Sequence, residues 1–209
     1  MPSKGIVHII DDDEGVRESI EFLFRSAQLE VRVYESASAF LSKVSEARGG
    51  CVVTDVRMPE VSGIDLLRRL KELRVTLPVI VITGHGDIQL AVEAMKIGAV
   101  DFIEKPFDDN LLLASVSSAL DRWEKGAQQE AERASLLDKV AKLTNRERDV
   151  LDGLVAGKPN KIIAFDHGIS PRTVEIYRAN VMTKMSAGSL SDLVRMALLT
   201  GLLKSGSER

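Results

Sequence analysis

Four apolar runs, each cut off by a polar residue that can do chemistry, constrain this chain more than any other feature. Gly5-Ile6-Val7-His8-Ile9-Ile10 halts at Asp11-Asp12-Asp13, and Cys51-Val52-Val53-Thr54 ends on Asp55 before a break at Met58-Pro59. Pro78-Val79-Ile80-Val81-Ile82 halts at Thr83-Gly84, and Val100-Asp101-Phe102-Ile103-Glu104 halts at Lys105-Pro106. Segments of helical period separate these runs. Near-continuous apolar runs alternating with helices read as parallel strands buried on both faces. In such sheets ligands collect beyond the carboxyl ends of the strands. An acidic pair, a lone Asp, a hydroxyl and a Lys therefore converge on one rim.

At 209 residues the chain has room for two domains. Aromatic residues are only 4% of it, so its cores are expected to be aliphatic. The single Cys, Cys51, heads a strand; an intramolecular disulfide is excluded and a reducing compartment fits. No apolar stretch approaches the ~20 residues of a membrane span. Met1-Pro2-Ser3-Lys4 runs into a strand rather than a signal peptide, so a soluble, cytoplasmic protein without membrane contact is expected. Charge is uneven. Residues 1–142 hold 18 Lys+Arg against 24 Asp+Glu, whereas residues 143–209 hold 10 against 7. Between Lys158 and Lys184 there are five cations and two anions, a weak pointer to nucleic acid.

Five strand–helix repeats fill the first 120 or so residues. Helices are expected near Glu14–Ala27, Ser36–Ser45, Gly63–Leu73, Ile88–Ile97 and Asp109–Trp123, with a second strand near Glu30–Tyr34. Asp13, Ser36 and Asp87 precede helices as caps, and Asp108-Asp109 suits the positive end of the fifth helix dipole. The alternation predicts a doubly wound parallel sheet with right-handed crossovers. Asp121 to Lys142 is rich in strong helix formers without a wide apolar stripe, which suggests a helical spacer continuing helix five. Leu136, Leu137, Val140 and Leu143 could form a short coiled-coil seam, but about three to four heptads are needed for that reading, and a plain spacer is favoured. From Leu143 four helices follow without strands. Thr144 with Glu147 matches a capping box, Asn160 to His167 is a short helix closed by Gly168, Ser170-Pro171 opens a third helix, and Ser189 opens the last. The expected organisation is thus α/β then all-α, with domains at 1–124 and 143–209 joined by a helical linker at 125–142.

A carboxylate that attacks a phosphoryl donor must overcome repulsion between two anions. Mg²⁺ lowers that cost, and it takes few protein carboxylates and keeps several waters. Asp12 is the expected direct ligand, Asp11 an outer or water-mediated one, and Asp55 both ligand and nucleophile. The Arg57 backbone carbonyl completes the set. Lys105 is placed to pair with phosphoryl oxygens and Thr83 to donate a hydrogen bond to one, with Lys105-Pro106 a candidate cis bond. His85 reads as a loop residue, His8 as a strand residue and His167 as a helix-end residue.

Asp11-Asp12, Asp55 followed by Val-Arg-Met-Pro, Thr83 and Lys105-Pro106-Phe107 resemble the receiver domains of two-component response regulators, over about residues 5–124. The resemblance implies a flavodoxin-like five-stranded fold and phosphorylation of Asp55 by a sensor histidine kinase. It also implies Phe102 as an aromatic switch that moves inward when Thr83 turns to the phosphate. Dimerisation on phosphorylation would use the face of helix four and strand five, including Val92, Lys96, Asp101 and Ile103.

Two short helices joined at Gly168 suggest a helix-turn-helix whose second helix enters the major groove. Val174, Val181 and Met185 fit its buried face; Arg172, Glu175, Ile176 and Ala179 fall nearer the opposite one and can meet base edges. Lys161, Arg172, Thr173 and Tyr177 are candidate phosphate contacts, with Ser170 as the cap of the reading helix. Leu143-Thr144, Arg146-Glu147, Val150-Leu151, Gly157, Asn160-Lys161, Ile163-Ala164 and Ser170–Lys184 resemble the LuxR/NarL class of DNA-binding domains. Tyr177 departs from the His found in many of that class. The whole chain resembles two-domain activators of nitrogen-fixation and microaerobic genes partnered by a haem-containing, oxygen-sensing kinase. The resemblance implies promoter DNA and RNA polymerase as further partners and a regulatory rather than enzymatic role. A relay whose tail binds protein is the alternative, carried by the sparse basic charge and by Glu175. A haloacid-type hydrolase would share the nucleophile but usually needs an Asp two residues beyond it, where Arg57 stands.

Overall fold

Strands β1 (Ile6–Ile10), β2 (Glu30–Tyr34), β3 (Gly50–Asp55), β4 (Val79–Thr83) and β5 (Asp101–Glu104) form one parallel sheet in the order β2-β1-β3-β4-β5. The structure, a computed structural model, describes residues 5–47, 49–84 and 88–201. β3 and β4 are buried along their whole length, which is why they read as unbroken apolar runs. The chain leaves β1 for β2 on one side and returns to β3 on the other. The loops after β1 and β3 therefore diverge, and a crevice opens between them. Asp11 and Asp55 stand at its two lips.

Helices α1 (Glu14–Ser26), α2 (Ala37–Ser42), α3 (Gly63–Glu72), α4 (Ile88–Ile97) and α5 (Asp109–Ala141) follow the five strands. Asp13 accepts a hydrogen bond from the Val16 amide and Ser36 from the Ala39 amide, as their types predict. Ser62 does the same for α3 through the Asp65 amide. Asp87, read as the cap of α4, and His85 lie outside the described residues. α2 is shorter than the Ser36–Ser45 expectation, and residues Val44–Glu46 form a 3-10 turn instead. One helical turn suffices there to bury Ala37 and Phe40, and the Lys43 amide already bonds back to the Phe40 carbonyl.

The sheet buries a separate core on each face. One contains Ile10, Val52, Val81, Phe40 and the α3 residues Leu66 and Leu70, with Phe102 packed beside it. The other contains Ile9, Val53, Ile80, Ile82 and Ile103 under Phe24 of α1 and Leu112 and Val116 of α5. Ile103 corrects the expected dimer face. It is 2% exposed, because successive residues of β5 point to opposite faces and Phe102 takes the other one.

Contacts divide the chain after Ala127. In the second unit the end of α5 joins α6 (Asn145–Val155), α7 (Asn160–His167), α8 (Pro171–Met185) and α9 (Leu190–Thr200). Val140 and Leu143 enter its core with Val150, Leu151, Ile163, Val174, Val181 and Met185. The Leu136–Leu143 seam thus serves its own unit, with Leu137 left exposed. Gly153 lets α7 close on α6, since a β-carbon there would stand 2.7 Å from Cγ1 of Ile163.

His8 is a buried polar group inside the first core. Its Nδ1 lies 3.3 Å from the Tyr34 hydroxyl, its ring packs against Tyr34 and Phe40, and among the described residues Nε2 has no hydrogen-bond partner. Burial, then the Arg32 charge, lowers its pKa to about 4, with the Gly49 carbonyl partly offsetting both. An unfolded His takes a proton near pH 6.5. The folded protein resists protonation down to about 4, so stability from a neutral His8 is complete above pH 6.5 and drains as pH falls towards 4. A shift of this size corresponds to about 3 kcal/mol. Urea midpoints of the first unit at several pH values check this: His8→Leu should lose the slope between pH 6.5 and 4.5, and a parental slope in that variant contradicts it.

Candidate functional site

Three strand ends meet at one ammonium group. Lys105, in the turn after β5, donates from Nζ to Asp55 Oδ1 at 2.6 Å and to Asp11 Oδ2 at 3.0 Å. Asp11 is 3% and Asp55 8% exposed. Two carboxylates brought this close would repel, and the cation between them makes the arrangement tolerable. Burial pushes the Asp11 carboxyl above its ordinary range, against the pull of Lys105 and the Asp13 amide. For Lys105 burial alone would lower the pKa, but the bonds from Asp55 and Asp11 outweigh it and hold it above its usual value. The turn aiming Lys105 inward is fixed by its amide on the Thr83 carbonyl (2.7 Å), and the Lys105-Pro106 bond is cis, as expected.

The remaining oxygens of the acidic pair are oriented as well. Asp55 Oδ2 accepts from the Arg57 amide at 2.5 Å, and Asp11 Oδ1 from the Asp13 amide at 2.9 Å. Arg17 of α1 donates to the Asp11 carbonyl at 2.7 Å, tying the loop to its helix. Gly63 is required beside the site. A β-carbon there would stand 2.2 Å from the Asp55 carbonyl oxygen, so only glycine lets α3 begin so close to the acceptor strand.

Asp12 is placed differently from Asp11. It is exposed and, with Arg57, lines a cleft of about 700 Å³ floored by Val56, Met58, Ile64 and Leu90. Among the described residues no three His, Cys, Asp or Glu side chains are gathered tightly enough to hold a cation unaided. Asp11 and Asp55 are brought together around Lys105, while Asp12 stands on the rim facing solvent. Its oxygen-only set beside a solvent-filled cleft suits Mg²⁺, which keeps most of its waters.

Thr83 is buried at the end of β4, and Phe102 is half-buried on β5. Phe102 and Asp101 line a shallow groove with Val92, Met95 and Lys96 of α4, so the expected switch residue borders the expected contact face. Asp101 is tied within its own unit, accepting from its neighbour's amide and from the Ser115 hydroxyl at 2.6 Å.

In the second unit Gly168 ends α7 with φ +64° and Pro171 opens α8. Ser170 Oγ accepts from the Thr173 amide and shares a 2.8 Å bond with the Thr173 hydroxyl. Val174, Val181 and Met185 are fully buried. Arg172, Glu175, Ile176 and Ala179 are exposed, as is Lys161 at the start of α7, so the expected division of faces holds. Tyr177 differs from the rest: half-buried and packed against the core, it supports α8 with part of its ring.

Several contacts escape a reading of the sequence. Glu147 closes the capping box through the Thr144 amide and also accepts from Lys184 Nζ at 2.7 Å, which holds its carboxyl below the usual range. Lys139 reaches the Met185 carbonyl at the end of α8, where a cation suits the helix dipole. Arg68 of α3 bridges Asp65 and Glu93 of α4. The Lys184–Glu147, Lys139–Met185 and Arg68–Glu93 contacts join residues distant in sequence whose types alone signal nothing.

Residues 7–117 match the response regulator receiver domain family, and residues 141–197 the luxR family of bacterial regulatory proteins. The chain is 55% identical over 202 residues to the transcriptional regulatory protein FixJ of Azorhizobium caulinodans, covering 97% of this chain and 96% of that one. It is 51% identical over 203 residues to FixJ of Bradyrhizobium diazoefficiens, covering 97% and 99%. Full-length FixJ from B. japonicum superposes with a TM-score of 0.60 at 51% identity, over 96% of this chain and 99% of that structure. The response regulator StyR does so with 0.82 at 38% identity, over 92% and 98%. With two matched modules in the same order and such identity over nearly its whole length, the chain belongs to the FixJ family of response regulators, which regulate transcription through a receiver domain joined to a luxR-type DNA-binding domain.

Proposed function

We propose that the protein accepts a phosphoryl group on Asp55 from a sensor histidine kinase, dimerises, and controls transcription by binding promoter DNA and engaging RNA polymerase. The observation that carries this reading is the Asp11–Lys105–Asp55 bridge at the crevice of the sheet. An Asp55 oxygen attacks phosphorus, a P–O bond forms, and the P–N bond to the donor histidine breaks with its electron pair leaving on nitrogen. Asp12, Asp55 and the Arg57 carbonyl would hold Mg²⁺, with Asp11 as an outer or water-mediated ligand, and the ion would supply the charge neutralisation that lets two anions meet. Lys105 balances the phosphoryl group, which adds roughly −1.5 to −2 charges. The Arg57 amide orients the acceptor, and the Thr83 hydroxyl donates to a phosphoryl oxygen. Turning Thr83 inward makes room for Phe102, and the groove it shares with Val92, Lys96 and Asp101 changes shape. Ile103, under α5, takes no part in that surface.

The resemblance read from the sequence extends the proposal to oxygen-linked control of nitrogen fixation. Nodulation protein W of B. diazoefficiens, 41% identical over 207 residues, has another name at similar coverage. The regulon is therefore set by residues that read bases, not by architecture. On α8 those are Arg172, Glu175, Ile176 and Ala179, with Lys161, Arg172, Thr173 and Tyr177 as anchors on the phosphate backbone and Ser170 capping the helix. Glu175 can accept from a cytosine amino group and Ile176 can pack on a thymine methyl. Two such helices in a dimer read half-sites about 10 base pairs apart.

Asp55→Asn should abolish acyl-phosphate formation from acetyl phosphate with Mg²⁺, because an amide is a poor nucleophile. Acyl-phosphate label on that variant overturns the assignment. Asp12→Ala should need more Mg²⁺ for the same uptake; an unchanged Mg²⁺ titration removes Asp12 from the ligands.

Sedimentation of the phosphorylated chain should show a dimer that Val92→Glu prevents. A monomer whose DNA binding is nonetheless switched on requires a different coupling.

Binding-site selection separates reading from anchoring. Glu175→Ala should relax preference by about 1–3 kcal/mol at one position per half-site. Lys161→Ala should weaken binding to all sequences and reduce the salt slope by about one. The reverse pattern overturns the division.

A further inference from the structure

At the amino-terminal edge of the sheet Gly5 and Gly49 make a slot for Trp123 of α5, and Gly50 beside them packs on the Ile6 backbone. Gly5, Gly49 and Gly50 have φ of +97°, +126° and +118°, a region that strains other residues. A β-carbon on Gly49 would stand 2.0 Å from Cζ2 of Trp123, and one on Gly5 would stand 3.2 Å from its Cζ3. One on Gly50 would overlap the Ile6 carbonyl oxygen at 1.8 Å. The indole therefore rests where bare backbone is needed. Trp123 is also the last apolar residue of α5 packed on the first unit: Leu112, Val116, Ala119 and Leu120 precede it in the core under α1 and α5, while Trp123 packs against the core on the other face. From Lys125 to Ser135 every residue is exposed.

We infer that Trp123 is a positioning residue that, seated in the glycine slot, sets the direction in which α5 leaves the receiver and so couples the phosphoacceptor site to DNA binding. The inference rests on the phosphorylation-controlled DNA binding proposed above. β1 and β3 begin at the slot, after Gly5 and at Gly50; β1 ends one residue before Asp11 and β3 ends at Asp55. They pair in register from Ile6–Gly50 to Ile10–Thr54. A fully bonded, close-packed strand pair transmits a displacement rather than absorbing it. Past Trp123 the helix has no apolar support until Leu136, so its course is decided at its last anchored residue.

The test uses the full chain and a duplex selected from a random pool with the phosphorylated parent. Acetyl phosphate with Mg²⁺ labels Asp55, sedimentation reports dimerisation, and DNA affinity is measured with and without the phosphodonor. Trp123→Ala should take up label and dimerise like the parent yet lose most of the gain in DNA affinity, a gain typically 5–150-fold in coupled systems. Trp123→Phe, which keeps an aromatic ring in the slot, should restore most of it. Should Trp123→Ala fail to fold, Trp123→Leu carries the same expectation, because it keeps apolar volume without a flat ring. A labelled, dimeric Ala or Leu variant with the parental gain overturns the inference. If the parent itself gains no affinity on labelling, the functional reading falls, and this inference with it.

Discussion

One ammonium group between two nearly buried carboxylates is the interaction on which the first unit turns. Lys105 must come from β5 at one edge of the sheet, pass the end of β4, and reach Asp55 on β3 and Asp11 after β1. The order β2-β1-β3-β4-β5 brings these three ends into the span of one lysine side chain. Removing the cation would leave two carboxylates side by side in a partly desolvated place, where at least one would take up a proton. The bridge thus ties the ends of three strands together at the acceptor carboxylate. The structural demand and the chemical demand are met by the same bond pair.

Much of this was legible in the sequence because strands buried on both faces leave unbroken apolar runs, and a polar residue marks where burial stops. Asp11, Asp55, Thr83 and Lys105 were visible for that reason. Capping is local chemistry, and Asp13, Ser36, Thr144, Ser170 and Ser189 all cap as their types suggest. Facing was not legible. β5 has a core on either side, so the alternation that would tell Phe102 from Ile103 is lost, and Ile103 was placed on a surface it cannot reach. Long-range partners were equally hidden: Lys184 and Glu147 lie 37 residues apart, and neither suggests the other. The Trp123 slot needs glycines from two strand ends and an indole from α5, a coincidence that only the fold creates.

The second unit separates support from display. α8 buries Val174, Val181 and Met185, and its amino end is held by the bonded hydroxyls of Ser170 and Thr173. Both hydroxyls serve the cap first, so any backbone contact they make to DNA shares an oxygen already engaged in fixing the helix. Tyr177 leans on the core in the same way. Arg172, Glu175, Ile176 and Ala179 have no such internal duty, which leaves them as the residues whose identity can change without unfolding the helix. A change of target should therefore be written at these positions, while the anchoring set stays under the constraint of stability.

Switching follows from how little the bridge needs to change. A bound group shifts a conformational equilibrium only by its difference in affinity for the two states. Lys105 already faces two carboxylates before any phosphoryl group arrives, so phosphorylation does not create an ion pair from nothing. It replaces one anionic partner with a larger and more highly charged one. In the proposed switch the net gain from Lys105 is then modest, and the difference between states is assigned to groups that change partners, Thr83 and Phe102 foremost. Both stand on adjoining strands next to α4, whose outer side is open and whose link to α3 through Arg68 is half-exposed and weak. A few kcal/mol delivered there is enough to reshape that face.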